Sequence, residues 1–255
     1  MTALHIRHFP GDAARPGIAL HCMMGTGSYW GPIGRLMEGR LDLRAPDMLS
    51  HGRSPKWAPS ELDYHTQMTR GVAAMIDRPL DLIGHSLGAT LALRIAVGAP
   101  EAIRSLTLIE PVLFAACPDP EQSALFERMG TALANGDRIA ATADFLQIWG
   151  LKDDKGAAPP LDSFVQQIEI VAETNDALVH DRFNMLREGG LEAIDAPVMI
   201  IRGGDSPAVI EGIANALADR LPDVGVATVP DAGHMLPITH PRQVAELIAI
   251  NLDRA

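Results

Sequence analysis

Short, mainly apolar segments that alternate with helical periodicities constrain the fold of this chain more than any other feature. Five segments are typical of buried strands, and they span 17–21, 80–83, 106–109, 198–201 and 224–229. Strands that are apolar on both sides belong to parallel sheets that are covered by helices on both faces. The sequence therefore predicts an α/β fold with right-handed crossovers.

Helical patterns separate these strands. Apolar residues at helical spacing predict amphipathic helices over 61–77, after Pro207 and from about Pro241. Proline at both starts suits the first turn of a helix. The segment 87–97 is apolar on nearly all sides, which predicts a buried central helix.

One long region departs from this alternation. Between 114 and 190 no strand is predicted, and helical segments are expected over 122–134, 138–149 and 161–172. We interpret 114–190 as a helical insertion between two strands of the sheet. Residues 1–113 and 191–255 then form the α/β core.

Composition limits the classes of function. The chain of 255 residues is 47% hydrophobic and 21% charged, as is ordinary for a globular protein. Its formal net charge of −11 argues against nucleic acids and anionic membranes as partners, because both attract basic surfaces. Residues 1–12 lack the pattern of a secretory signal, and two cysteines form no disulfide framework. We therefore expect a cytoplasmic protein.

A serine between two glycines is the main candidate for chemistry. The run Gly84-His85-Ser86-Leu87-Gly88 lies between the predicted strand 80–83 and the predicted buried helix. A strand, a tight turn and a helix in this order lift a serine hydroxyl above the sheet at a helix N-terminus, where it can act as a nucleophile. The alternative is that Ser86 only caps the helix.

A serine nucleophile needs a base, and the base needs an orienting acid. His234 follows the predicted strand 224–229, and Asp205 follows the predicted strand 198–201. Both lie beyond the carboxyl ends of parallel strands, where such sheets hold their sites. We therefore predict that Ser86, Asp205 and His234 form a catalytic triad.

These features together resemble the α/β-hydrolase fold superfamily over nearly the whole chain. Residues 20–30, LHCMMGTGSYW, resemble its H-G-x-x-G-S-x-x-W oxyanion loop, and residues 45–54, APDMLSHGRS, resemble its D-x-P-G-H-G-x-S turn. The resemblance implies that 114–190 is a cap over the active site. It also implies that the backbone N–H groups of Met23 and Leu87 form the oxyanion hole.

The chain departs from the family pattern at two positions. Cys22 stands where the family usually has glycine. Many relatives carry the acid one residue after Asp205, where this chain has Ser206, and some carry it at the position of Glu110. Asp205 is the preferred acid, and Glu110 is the alternative.

The resemblance implies a carboxylesterase-like serine hydrolase that acts on an ester or similar acyl bond of a small molecule. Large apolar side chains in 114–190, among them Phe145 and Trp149, are expected to face the nucleophile and to favour a largely apolar substrate. His21 and His85 are expected at the pocket mouth. No metal or organic cofactor is needed, and His5 and His8 are interpreted as surface residues.

Two other classes of function stay open at this point. A triad-dependent lyase or a hydrolase of carbon–carbon bonds shares the motifs and differs in the polarity of its pocket. Arg53, Arg94 and Arg182 are the candidates for holding a substrate carboxylate in such an enzyme. The other class is a non-catalytic protein that binds small molecules on the same fold.

Overall fold

A mostly parallel sheet forms the centre of the molecule. The computed structural model describes residues 3–151 and 161–255. In this part of the chain the strand order is β1-β3-β2-β4-β5-β6-β7. The strands are β1 (Ile6–Phe9), β2 (Pro16–Leu20), β3 (Asp42–Pro46), β4 (Leu80–His85), β5 (Ile103–Ile109), β6 (Val198–Gly203) and β7 (Val224–Val229). Only β1, at the edge, runs antiparallel to its neighbour, so the predicted α/β fold is confirmed.

Helices cover both faces of this sheet. They are α1 (Gly31–Leu36), α2 (Tyr64–Ala73), α3 (Leu87–Gly98), α4 (Pro120–Ala134), α5 (Arg138–Trp149), α6 (Ile168–Val179), α7 (Ala208–Ala218), α8 (Leu236–Thr239) and α9 (Pro241–Leu252). Leu82 of β4 packs in the core with α2, α3 and α7, whereas the next residue, Ile83, packs in the core with α1 and α9. Successive strand residues thus face opposite helix layers, which explains why the strands are apolar along their length.

The five predicted strands and the predicted helices of the core are confirmed, with ends that differ by a few residues. The sequence patterns do not reveal β1 and β3. All of β1 except its last residue is exposed, and β3 begins with alternating half-buried and buried residues. Neither strand therefore has the continuous apolar character that marks the others.

Only helices and turns lie between β5 and β6 in the described part of the chain. The predicted helix 138–149 coincides with α5, and α4 extends the predicted helix 122–134 by two residues at its start. The predicted helix 161–172 is wrong in extent. Short 3-10 turns occupy Leu161–Ser163 and Val165–Gln167, and α6 begins only at Ile168.

No helix among the described residues is long and apolar enough to cross a lipid bilayer.

Candidate active site

Ser86 occupies a sharp turn between β4 and α3. Its backbone angles, φ 56° and ψ −120°, are strained for a residue with a side chain. A Cβ atom on Gly84 would lie 2.3 Å from the carbonyl oxygen of Gly88, and one on Gly88 would lie 2.3 Å from the carbonyl oxygen of Leu20. The two glycines therefore permit the turn that the sequence predicts, and Ser86 lines a cavity at the end of the sheet.

Glu110 and His234 form a buried carboxylate–imidazole pair. Oε2 of Glu110 lies 2.9 Å from Nδ1 of His234, and the other carboxylate oxygen accepts a hydrogen bond from the Gly203 N–H at 2.7 Å. Glu110 is fully buried, and His234 is 6% exposed. Because an ionised carboxylate can only accept hydrogen bonds, this contact assigns the proton of a neutral His234 to Nδ1 and leaves Nε2 as an acceptor.

The predicted pairing of Asp205 with His234 is wrong. Asp205 is exposed, and its backbone N–H donates to the carbonyl oxygen of Ala232 at 2.9 Å, which fixes the turn after β6. Both residues line a cavity of about 260 Å³, but no hydrogen bond joins their side chains. The position beside Nδ1 is taken by Glu110, which enters from the end of the neighbouring strand β5.

The sequence contains a signal for Glu110. Glu110 directly follows the predicted strand 106–109, and a carboxylate at the carboxyl end of a buried strand needs a hydrogen-bond partner there. Asp205, by contrast, follows two glycines in a turn, where exposure to water satisfies a carboxylate. The backbone φ of Glu110 is 52°, so this residue shares with Ser86 a positive φ, which is rare outside glycine.

Two ring contacts fix the imidazole of His234. The Trp149 ring meets it edge-on with centroids 4.7 Å apart, and the His85 ring lies 5.0 Å away. Nε2 of His85 donates to the carbonyl oxygen of His234 at 2.8 Å, and the Tyr29 hydroxyl donates to Nδ1 of His85 at 2.8 Å. Burial lowers the pKa of His85 well below its ordinary value, so His85 is a neutral, fixed donor.

Ser86 and His234 each lie beside Trp149, but they are not directly bonded to each other. Within residues 3–151 and 161–255, no hydrogen bond joins the Ser86 hydroxyl to His234. Trp149 connects the two positions, because its ring contacts the imidazole and also lines the cavities around Ser86.

The predicted oxyanion donors lie beside Ser86. Met23 and Leu87 line the same narrow cavity as the serine, and no carbonyl of the described residues accepts a hydrogen bond from either backbone N–H. The next amide along the first loop is not available, since the Met24 N–H donates to Nε2 of His51 at 3.0 Å. These two N–H groups, on residues that line one cavity with Ser86, are therefore available to hydrogen-bond a ligand there.

Buried histidines support this loop. The Met48 N–H donates to Nε2 of His21 at 2.9 Å, and Nδ1 of His21 donates to the Cys22 carbonyl at 2.7 Å. Burial and the neighbouring His51 lower the pKa of His21 to about 3. Burial likewise lowers the pKa of His51. Both imidazoles are therefore neutral connectors between the first loop and residues 48–51.

The prediction that His21 and His85 lie at the pocket mouth is wrong. Both side chains are fully buried, and neither belongs to the walls of the cavities around Ser86. Their ring nitrogens instead satisfy backbone groups and the Tyr29 hydroxyl, as buried polar groups require.

Two cavities meet at Ser86. They share Met23, Phe145 and Trp149, so these three side chains line both cavities together with Ser86. The wide cavity has a volume of about 220 Å³, and the narrow cavity has a volume of about 40 Å³. The wide one is lined further by Cys22, Met24, Tyr29, Leu146, Met235 and Ile238, among others. Apolar side chains of the narrow one include Val112, Phe114, Phe126, Val171 and Leu178.

No charged side chain lines either cavity in the described ranges 3–151 and 161–255. The guanidinium group of Arg94 stacks on Phe183 at 3.4 Å from the ring centroid. Arg182 pairs with Asp176, and Arg53 lines a separate cavity. None of these three arginines is placed to hold a substrate carboxylate near Ser86.

The described part of the chain contains no cluster of three or more candidate metal ligands. Nδ1 of His5 lies 3.0 Å from the Asp47 carboxylate, and Nε2 of His8 lies 2.7 Å from the Asp42 carboxylate. Each of these two histidines therefore contacts a single carboxylate; His8 is exposed and His5 is half-buried.

Comparison with known proteins identifies the family. The model of the alpha/beta hydrolase family matches residues 18–247. The chain belongs to this family. The match covers most of the core and the entire helical region, and it confirms the resemblance and the fold class that the sequence motifs predict.

Relatives of this chain at low identity include lipases, esterases and putative carbamate hydrolases. Lipase LipV of Mycobacterium tuberculosis is 25% identical over 265 residues, which cover 98% of this chain and 97% of the relative. A pimeloyl-[acyl-carrier protein] methyl ester esterase of Nitrosomonas europaea is 24% identical over 242 residues, which cover 89% of this chain and 91% of the relative. Among solved structures, a thermophilic esterase from Thermogutta terrifontis has a TM-score of 0.74 at 18% identity. The similarity covers 98% of this chain and 93% of the esterase chain. This last similarity concerns the fold alone.

Proposed function

We propose that this chain is a serine hydrolase that cleaves a carboxylic ester, or a similar acyl bond, of a small and largely apolar molecule. The observation that carries the proposal is the buried contact between Glu110 and Nδ1 of His234 next to the strained turn of Ser86. A buried carboxylate on one imidazole nitrogen leaves the other nitrogen to act as a base toward a nearby hydroxyl.

In the proposed reaction the Ser86 hydroxyl oxygen attacks the acyl carbon while Nε2 of His234 takes its proton. Glu110 stabilises the imidazolium that forms, and the N–H groups of Met23 and Leu87 stabilise the oxyanion. His234 then returns the proton to the leaving group, and water releases the acyl group from Ser86. The Ser86–His234 hydrogen bond forms when substrate is bound, since such bonds are often long in empty sites.

The substrate class follows from the walls of the two cavities. Their apolar side chains favour an apolar acyl or alkyl group, and the lack of a charged side chain among the described wall residues favours a neutral molecule. The helices α4 to α6 act as a cap in this proposal, because they contribute walls to the narrow cavity. Two of the relatives, a lipase and a methyl ester esterase, agree with an ester substrate.

The two rival functions have less support. A lyase or carbon–carbon hydrolase that binds an anionic substrate needs a cation near Ser86, and Arg53, Arg94 and Arg182 lie elsewhere. A protein that only binds small molecules has no need of a strained serine or of a buried carboxylate on an imidazole.

A covalent label tests the proposal directly. Intact mass after treatment with a fluorophosphonate should show one added group per chain, and peptide mapping should place it on Ser86. Hydrolysis of p-nitrophenyl esters with acyl chains of graded length should occur in the same preparation. Ser86→Ala should lose both the label and the hydrolysis.

Ser206→Ala is the matched control, because it removes a buried hydroxyl that has no hydrogen-bond partner among the described residues. This variant should keep both the label and the hydrolysis. Labelling that persists in Ser86→Ala, or wild-type protein that neither reacts with the fluorophosphonate nor cleaves any ester, would contradict the proposed function.

A further inference from the structure

Gln122 places a buried amide in the wall of the narrow cavity. The residue is 5% exposed, and it lines the same cavity as Ser86 among mainly apolar side chains. Its Nε2 atom is buried and has no hydrogen-bond partner in the described part of the chain. A buried amide N–H without a partner is costly, so its presence calls for a partner that the described residues do not supply.

The position of Gln122 in α4 does not account for this amide. Asp119 is the N-cap of α4 and accepts the backbone N–H of Gln122 at 2.7 Å. A glutamine at this third helical position commonly reaches back to the N–H of the cap residue. No hydrogen bond of that kind joins Gln122 to Asp119. The side chain lines the cavity instead of completing the cap.

The chemistry of the cavity limits what the amide can bind. Nε2 can only donate, and the indole N–H of Trp149, which also lines the cavity, is a second buried donor without a partner among residues 3–151 and 161–255. The Thr174 hydroxyl already donates to the carbonyl of Val171 at 3.1 Å. Unpaired donors and the lack of a charged side chain in this wall favour a neutral acceptor oxygen over a carboxylate or an ammonium group.

We propose that the narrow cavity is a subsite for an acyl chain that carries a neutral oxygen acceptor, such as a ketone carbonyl, which the Gln122 amide binds. The inference rests on the proposed function, since the chain must be attached to the acyl carbon that Ser86 attacks. It adds that the substrate is not a plain hydrocarbon ester. Gln122 is a residue that determines specificity for this oxygen.

Matched pairs of esters test this subsite. The p-nitrophenyl esters of 4-oxohexanoate and 5-oxohexanoate differ from those of 4-methylhexanoate and 5-methylhexanoate only in replacing a methyl branch by a carbonyl oxygen. Each kcat/KM is divided by the rate of hydroxide hydrolysis of the same ester. For at least one pair, wild-type protein should favour the oxo ester about tenfold, as one added hydrogen bond allows.

Gln122→Met keeps the size of the side chain and removes the donor, so the preference for the oxo ester should fall to near unity. Gln243→Met makes the same substitution at an exposed position of α9 and should keep the wild-type preference. A preference that is unchanged in Gln122→Met, or that is absent from wild-type protein, overturns the inference.

Two further measurements separate this inference from the proposed function. Fluorophosphonate labelling of Ser86 tests the proposed hydrolase function in every variant. If Ser86 is labelled but the wild-type protein shows no preference for the oxo esters, only the proposed Gln122 subsite is rejected. Thermal melting with hexan-2-one reports binding without catalysis, and the ketone should raise the Tm of wild-type protein more than that of Gln122→Met.

Without ligand, Gln122→Met should melt at the same temperature as wild-type protein or higher, because it removes a buried amide N–H that has no partner among the described residues. A lower Tm in both Gln122→Met and Gln122→Leu would indicate a structural partner and overturn the inference.

Discussion

Oε2 of Glu110 lies 2.9 Å from Nδ1 of His234, although 124 residues separate the two in the chain. The register of the sheet produces this proximity. His85 pairs with Ile109 at the ends of β4 and β5, so the next residues, Ser86 and Glu110, leave the sheet side by side. His234 approaches both from the segment after β7.

Glu110→Gln should lower kcat by about 10⁴, the loss seen when the orienting carboxylate of a serine triad is removed. The variant keeps the shape of the side chain and loses the charge that stabilises the imidazolium. Asp205→Asn should stay close to wild type, because Asp205 is exposed and does not bond to His234. Both variants are assayed with a p-nitrophenyl ester and melted to exclude unfolding. A crippled Asp205→Asn beside an active Glu110→Gln would reverse our assignment.

Gly88→Ala should destabilise the protein by about 3 kcal/mol, because the new Cβ would lie 2.3 Å from the Leu20 carbonyl oxygen and force the backbone of β2 or α3 to shift. Gly98→Ala is the control in the same helix, where no atom lies within 4 Å of an added Cβ. This substitution should leave stability unchanged or raise it by about 0.5–1 kcal/mol. Urea unfolding measures both. Equal effects at the two glycines would contradict the close approach of β2 to α3.

His65 should make the protein less stable in acid. Burial and the charge of Arg94 lower the pKa of His65 to about 4 from its ordinary value of 6.5. Between these two pH values the unfolded chain binds a proton that the folded chain does not. The free energy of unfolding therefore decreases as the pH falls, by about 1.4 kcal/mol per pH unit from this residue.

His65→Phe tests this effect, because the His65 ring packs against Phe183 at 5.4 Å and its buried Nε2 has no partner among the described residues. The variant should show a smaller loss of stability between pH 6.5 and 4, whereas its curve from pH 7 to 8 should run parallel to that of wild type. Denaturant unfolding at each pH provides the comparison. Identical slopes below pH 6.5 would mean that His65 does not titrate as proposed.

Cys22 should be inert to alkylation in the folded protein, although it lines the wide cavity. Burial raises the pKa of its thiol to about 12, so at pH 8 only about 10⁻⁴ of it is thiolate, the reactive form. Iodoacetamide followed by peptide mapping should leave Cys22 unmodified until the chain is unfolded in guanidinium chloride. Rapid alkylation of native Cys22 would show that the first loop opens to solvent.

The sequence features that predict the fold correctly are local. Apolar runs mark the buried strands, and a serine between two glycines marks the turn after β4. These patterns act over a few residues, so a single sequence reveals them. β1 and β3 escape detection because an exposed edge strand and a partly alternating strand lack a continuous apolar signal.

The errors at the site arise from contacts between distant segments. Asp205 and Glu110 each follow an apolar strand, and only the packing of the segment after β7 decides which one meets His234. His21 and His85 have polar rings that suggest a pocket surface. In the folded protein, backbone groups of Met48 and His234 supply partners for those rings within the interior.

The acid at the end of β5 has a consequence for evolution and for folding. Ser86 and Glu110 belong to a single β–α–β unit that is complete before the helical region between β5 and β6 begins. Contacts within such a unit have low contact order and need no large loop to close first. Mutation can therefore lengthen, shorten or exchange the helices between β5 and β6 while Ser86 and Glu110 keep their mutual distance. Under the proposed function, such changes alter the substrate alone, because His234 is the only residue of the proposed triad that follows those helices in the chain.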